Sequence, residues 1–185
     1  MTSLASLLLP IVVSAAVVFI LSSVIHMVLP WHHDDYPYLA NQGSILDGIR
    51  KLGIGAGDYM FPRPKTPADM KSDEFKKMFE GGAVMMTVMP GGDMSMGGAL
   101  GKWFVFDLVV SLFAGYVASA ALPPGTPYLK VFQVVGTAAF MGYGFAIWPL
   151  RIWYKRSMSI TVKATIDALV YGLFTAGVFG WLWPK

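Results

Sequence analysis

Cysteine is absent from this 185-residue chain, and histidine nearly so, with three in all. The first absence excludes a disulfide framework, thiolate metal sites and cysteine-held iron–sulfur clusters, and leaves the redox compartment undetermined. Charge is scarce as well: 14% of residues are Asp, Glu, Lys or Arg, against roughly a quarter in soluble globular domains. A net charge of +3 is too small to indicate a nucleic-acid partner. There is no G-x-S-x-G elbow, Walker loop or dinucleotide fingerprint after a strand. The glycines of GIGAG and PGGDMSMGG read as turns. Motifs therefore assign no catalytic residue, and the chain leans away from being an enzyme.

Apolar residues fill the space that charge leaves. Hydrophobic residues make up 55% of the chain and mean hydropathy is +0.56, values of an integral membrane protein. Crossing about 30 Å of hydrocarbon takes roughly 20 helical residues. Four segments meet that length without dense charge: 7–29, 103–122, 131–148 and 162–183. The expected fold is all-α, one membrane domain over 1–185, with four transmembrane helices and a small ordered insertion at 30–102. No basic residue precedes the first span, and it is too long for a signal h-region, so it is expected to stay in the mature protein.

Lys and Arg in short loops set the expected orientation. The loop after the third span carries Arg151, Lys155, Arg156 and Lys163, whereas the loop after the second carries only Lys130. Both termini are thus expected outside and the insertion inside. Trp31, Trp103, Trp148 and Trp153 would form the inner aromatic belt, with Trp181 and Trp183 in the outer one. Within the insertion, Ser44 is placed to open a helix through Ile45, Leu46 and Ile49 that ends at Gly53. Thr66 with Pro67, then Ser72 with Asp73 and Glu74, opens a second helical pattern reaching Gly81. GDYMFPRP reads as extended. AVMMTVMP is either a short strand or a piece dipping into the membrane over 82–92; periodicity does not choose.

Small residues recur at helical spacing where spans would touch: Ser111, Gly115 and Ser119; Gly136, Ala139, Gly142 and Gly144; Gly172, Ala176 and Gly180. Such rows let helix backbones approach closely in lipid. They predict a tight bundle, with a groove for a partner or lipid as the sharper alternative.

Ionisable residues inside spans are costly and so carry information. Asp107, Asp167 and His26 come out at similar depth, roughly 6 to 9 Å inside the inner boundary at 1.5 Å per residue. Asp167 pairing with Lys163, Asp107 with Arg151 or Lys102, and His26 with a carbonyl is one expectation. A proton-accepting or metal-holding cluster of His26, Asp107, Asp167 and Lys163 is the other. His26, His32, His33, Asp34 and Asp35 form a second possible ligand set, for zinc, manganese or iron. Pro30 separates His26 from the rest, and an interfacial anchoring role for residues 32–35 is the favoured reading. Bis-histidine haem is disfavoured because only His26 lies inside a span. Met85, Met86, Met89, Met94 and Met96 suggest Cu(I) only weakly, because methionine commonly fills apolar gaps.

HMVLPWHHDDY, GDYMFPRP, WFVFDLVVSLFAGY, VGTAAFMGYGFAIW and TVKATIDALVYGLFTAGVFGWLWP together resemble a family of bacterial inner-membrane proteins with four spans and no assigned function. The resemblance covers nearly the whole chain. It implies the bacterial cytoplasmic membrane and four helices, and carries over no site residue. The expected role is an accessory or structural subunit packing with other membrane subunits or with itself in the bilayer, and no cofactor is favoured. The alternative is a metal- or proton-handling membrane protein, with a divalent metal as the implied cofactor.

Overall fold

A computed structural model of the chain describes residues 1–92 and 95–185. They form two compact units, 1–37 with 95–185, and the described part of 38–94.

The larger unit is a helical bundle. Its helices are α1 (Leu8–Ser23), α4 (Gly97–Ala121), α5 (Tyr128–Gly144), α6 (Ile147–Tyr154) and α7 (Met158–Leu182). The helical segments Leu4–Val28, Gly97–Ala121, Tyr128–Tyr154 and Met158–Leu182 are long and apolar enough to cross a membrane four times. All four spans start earlier than their apolar runs, α4 by the most, at Gly97, and α7 at Met158. The third continues past Trp148 to Tyr154. It breaks between α5 and α6 because Pro149 has no N–H to give the carbonyl of Phe145.

Leu7, Val18, Val131 and Phe179 are fully buried in the bundle, yet many other large apolar residues face outward. On α4 the covered face carries Asp107, Ser111, Ala114, Gly115, Ala118 and Ser119, while Val105, Phe106, Val109, Leu112 and Phe113 point outward. Small and polar residues inside with large apolar residues outside suit a lipid environment. The helices form a closed ring, with α1 against α4 and α7, α4 against α5, and α5 against α7. The α5–α7 contact is the most intimate. A Cβ on Gly136 would lie 3.1 Å from that of Ala176, and one on Gly172 would lie 3.1 Å from the Phe140 backbone nitrogen. Gly142 meets Val110 on α4, and Gly115 meets Phe179 at the centre.

At one end, Thr2 donates to the Leu122 carbonyl (2.8 Å) and Gly125 N–H to that of Pro184 (2.8 Å), which ties both termini to the α4–α5 turn. At the other end α1 runs into a π-helical turn, Val24–Val28. Leu29 is extended, as a residue before proline must be, and Pro30 opens a single 3₁₀ turn through His32. The helix stops and the chain folds back. This brings Trp31 and His32 to α7.

The smaller unit holds α2 (Gln42–Lys51), α3 (Asp73–Glu80) and the strands β1 (Gly57–Phe61) and β2 (Val84–Val88). Ser44 lies inside α2 rather than capping it, since the helix starts at Gln42. Ser72 does cap α3, accepting from the Phe75 N–H at 3.2 Å. The strands pair antiparallel, Gly57 opposite Val88 and Phe61 opposite Val84. The run over 84–88 is thus a strand paired with the extended segment that begins at Gly57.

Candidate functional site

The fold-back after Pro30 builds a polar cluster from residues far apart in the chain. His32 Nε2 lies 2.9 Å from Asp167 Oδ2, and its Nδ1 lies 2.6 Å from Asp35 Oδ2. Carboxylate oxygens only accept, so both ring nitrogens donate in this arrangement. The second oxygens are also engaged: the Trp31 indole donates to Asp167 Oδ1 at 3.1 Å, and Lys163 Nζ to Asp35 Oδ1 at 2.7 Å. The Lys163 ammonium also sits 5.7 Å from the Trp31 ring centre. His26, on the π-turn, stacks on His32 with ring centres 4.3 Å apart. Its Nδ1 donates to the Ser22 carbonyl at 3.0 Å. Ser22 in turn accepts from the Trp103 indole at 2.8 Å.

One ligand atom each from His26, His32 and Asp167 lies within 4.8 Å of the others. An ion with bonds near 2.0 Å in tetrahedral geometry needs ligand atoms about 3.3 Å apart. The His32–Asp167 pair, now 2.9 Å apart across a hydrogen bond, would open by a few tenths of an ångström if an ion replaced that proton, and His26 would have to move closer to complete the third side. Behind these ligands stands a second layer: Asp35 on His32, the Ser22 carbonyl on His26 and Trp31 on Asp167. Such partners orient metal ligands and set which imidazole nitrogen is bare. Asp35 is held below the ordinary carboxylate range. Burial alone would raise it, but the hydrogen bonds and charges of Lys163 and His32 outweigh that.

Several sequence expectations change. His32, grouped in the sequence with residues 33–35, lies beside His26 and Asp167. His33 and Asp34 point away, with side chains 86% and 98% exposed, and leave the ligand set. Lys163 pairs with Asp35, not with Asp167 one turn along, because the fold-back supplies an acid that the spacing does not show. Asp107 does not join this cluster. It is fully buried ten residues into α4, roughly 15 Å from the helix start at 1.5 Å per residue. Among the described residues it has no hydrogen-bond partner, Arg151 and Lys102 included; Arg151 instead caps the Arg156 carbonyl. Met96 belongs to the bundle unit, whereas Met85 and Met86 are neighbours on β2 and point to opposite faces. Met94 lies outside the described residues.

A cavity of about 430 Å³ adjoins the cluster, lined by His26 and Asp167 and by Trp103, Tyr143 and Tyr171. No model of a known protein family matches this chain, nor does any curated protein or solved structure. Function must therefore be argued from the site. No local pattern draws Tyr143 to the cluster, and Trp31, expected only in the inner aromatic belt, also donates to Asp167. Lys163, Asp167, Tyr171 and Thr175 at four-residue intervals were the available signal for a polar face on α7.

Proposed function

We propose that this chain is a multi-pass membrane protein that binds a divalent transition metal through His26, His32 and Asp167. The supporting observation is the convergence of these three ligand atoms within 4.8 Å, each backed by its own hydrogen-bonded partner. Two imidazoles and a carboxylate suit zinc, iron or manganese. Three protein ligands leave a coordination position for water or substrate, and the adjoining cavity offers room for it. The basic loops support an orientation with both termini outside.

The test uses the full chain, purified without chelator or nickel affinity, with elemental analysis followed by equilibrium dialysis against zinc, iron(II) and manganese. About one ion per chain is expected, lost in His26→Ala and His32→Ala and kept in His33→Ala. Absence of binding, or binding that survives both substitutions, overturns the reading.

A surface groove of about 620 Å³ between α4 and α5, lined by Ala114, Ala138 and Gln133 among others, favours a second reading in which the bundle packs into a larger membrane assembly. A monomer without companions in native mass spectrometry of gentle extracts would remove it.

A further inference from the structure

We infer that Asp107 is a proton-accepting site in the core of the bundle, joined to the His26, His32 and Asp167 cluster by the polar face of α7. The inference stands apart from the metal reading.

Four-residue spacing puts Lys163, Asp167, Tyr171 and Thr175 on one face of α7, and Trp103, Asp107 and Ser111 on one face of α4. The Tyr143 hydroxyl from α5 has Asp107, Ser111 and Thr175 as its polar neighbours. The Tyr171 side chain is within electrostatic reach of both Asp167 and Asp107. Yet neither oxygen of Asp107 has a partner at hydrogen-bonding geometry, and the hydroxyls of Tyr143, Tyr171 and Thr175 have none either. These four residues are between 0% and 9% exposed. Buried polar atoms are almost always paired, and small rotations would let the Tyr143 hydroxyl meet Asp107, Ser111 or Thr175, which leaves the charge of the buried carboxyl as the feature still to be met.

The surroundings identify how it is met. From α5 the titratable neighbour is Tyr143, and from α7 it is Tyr171 with Asp167 beyond. At this level α1 offers serines, with Ser14 on Ser111 at 3.1 Å and Ser22 on Trp103. None of these side chains is a cation. An ionised carboxyl at this depth is costly without a counter-charge. A metal cation would need several converging oxygens, and the helical carbonyls here are held in their own ladders. A proton needs one oxygen. The Asp107 carboxylate gains an O–H bond and loses its charge, and no other bond changes. Tyr143 and Tyr171 also line the largely apolar cavity shared by His26 and Asp167, so their hydroxyls are the polar groups between that cavity and Asp107.

Infrared spectroscopy of the full chain in lipid tests this through the carbonyl stretch of a protonated carboxylic acid in apolar surroundings. At neutral pH the band is expected in the wild type, absent in Asp107→Asn, displaced in Tyr143→Phe, and several-fold slower to exchange with deuterium in Tyr171→Phe. Lack of the band, its persistence in Asp107→Asn, or its loss on adding sodium chloride at constant pH overturns the proposal. Should Asp107→Asn fail to fold, an unmoved band in Tyr143→Phe overturns it instead. Removing His26 and His32 leaves the band in place, which separates this outcome from failure of the metal reading.

Discussion

Asp35 shows how one side chain can matter without being a ligand. It is 8% exposed and receives both Lys163 and His32. Its carboxyl lies below the ordinary value of 3.8 in the folded protein. Between the folded and the ordinary value the unfolded chain binds more protons, so stability rises with pH there. The contribution is complete above the ordinary value and is lost as pH falls through the folded one. Asp35→Asn is expected to flatten the acid limb of a thermal-stability profile and to weaken metal binding about 10- to 100-fold. Dialysis and melting curves from pH 3 to 7 check both. An unchanged acid limb would show that Asp35 is not held as described. The pairing with His32 is local, three residues away, but that with Lys163 is not: Asp35 and Lys163 are 128 residues apart, and the nearer candidate for Lys163 was Asp167.

At the scale of elements, glycine does on α5 and α7 what apolar side chains do in soluble cores. Gly172 faces the backbone of α5, with the Phe140 nitrogen 3.1 Å and the Gly136 oxygen 3.2 Å from where a Cβ would stand. Backbone atoms yield less readily than side chains. Gly172→Ala is expected to cost about 1–3 kcal/mol, whereas Gly177→Ala, whose nearest neighbour is the Tyr128 hydroxyl at 3.6 Å, should melt close to the wild type. Equal melting temperatures for the two would refute the close α5–α7 contact. The rows of small residues were legible because close approach in lipid leaves a four-residue spacing in the chain. The π-turn at Val24–Val28 was not, since no residue in VIHMV demands an i→i+5 bond. That turn nevertheless sets the face on which His26 points.

For the whole molecule, four apolar helices and a cluster at the end away from the termini agree with a multi-pass arrangement. Cysteines introduced at Ser44 and Gly125 in this cysteine-free chain are expected to label from opposite sides of intact vesicles. Labelling from one side would refute the orientation drawn from Arg151, Lys155 and Arg156.

Composition and run length determined the number of spans, because hydrocarbon thickness sets a length that sequence records directly. Pro30 likewise determined where the first helix stops. Which histidines meet which carboxylates was decided only by tertiary structure. The chain folds back after Pro30 and the ring of helices closes, so that Asp35, Lys163 and Asp167 become neighbours of His32. Depth was decided there too. Gly97–Lys102 is helical despite its low hydropathy and its exposure, and this puts Asp107 ten residues into α4 rather than the four that its place in the apolar run implied. Pairing and depth depend on contacts distant in sequence, which no local pattern encodes.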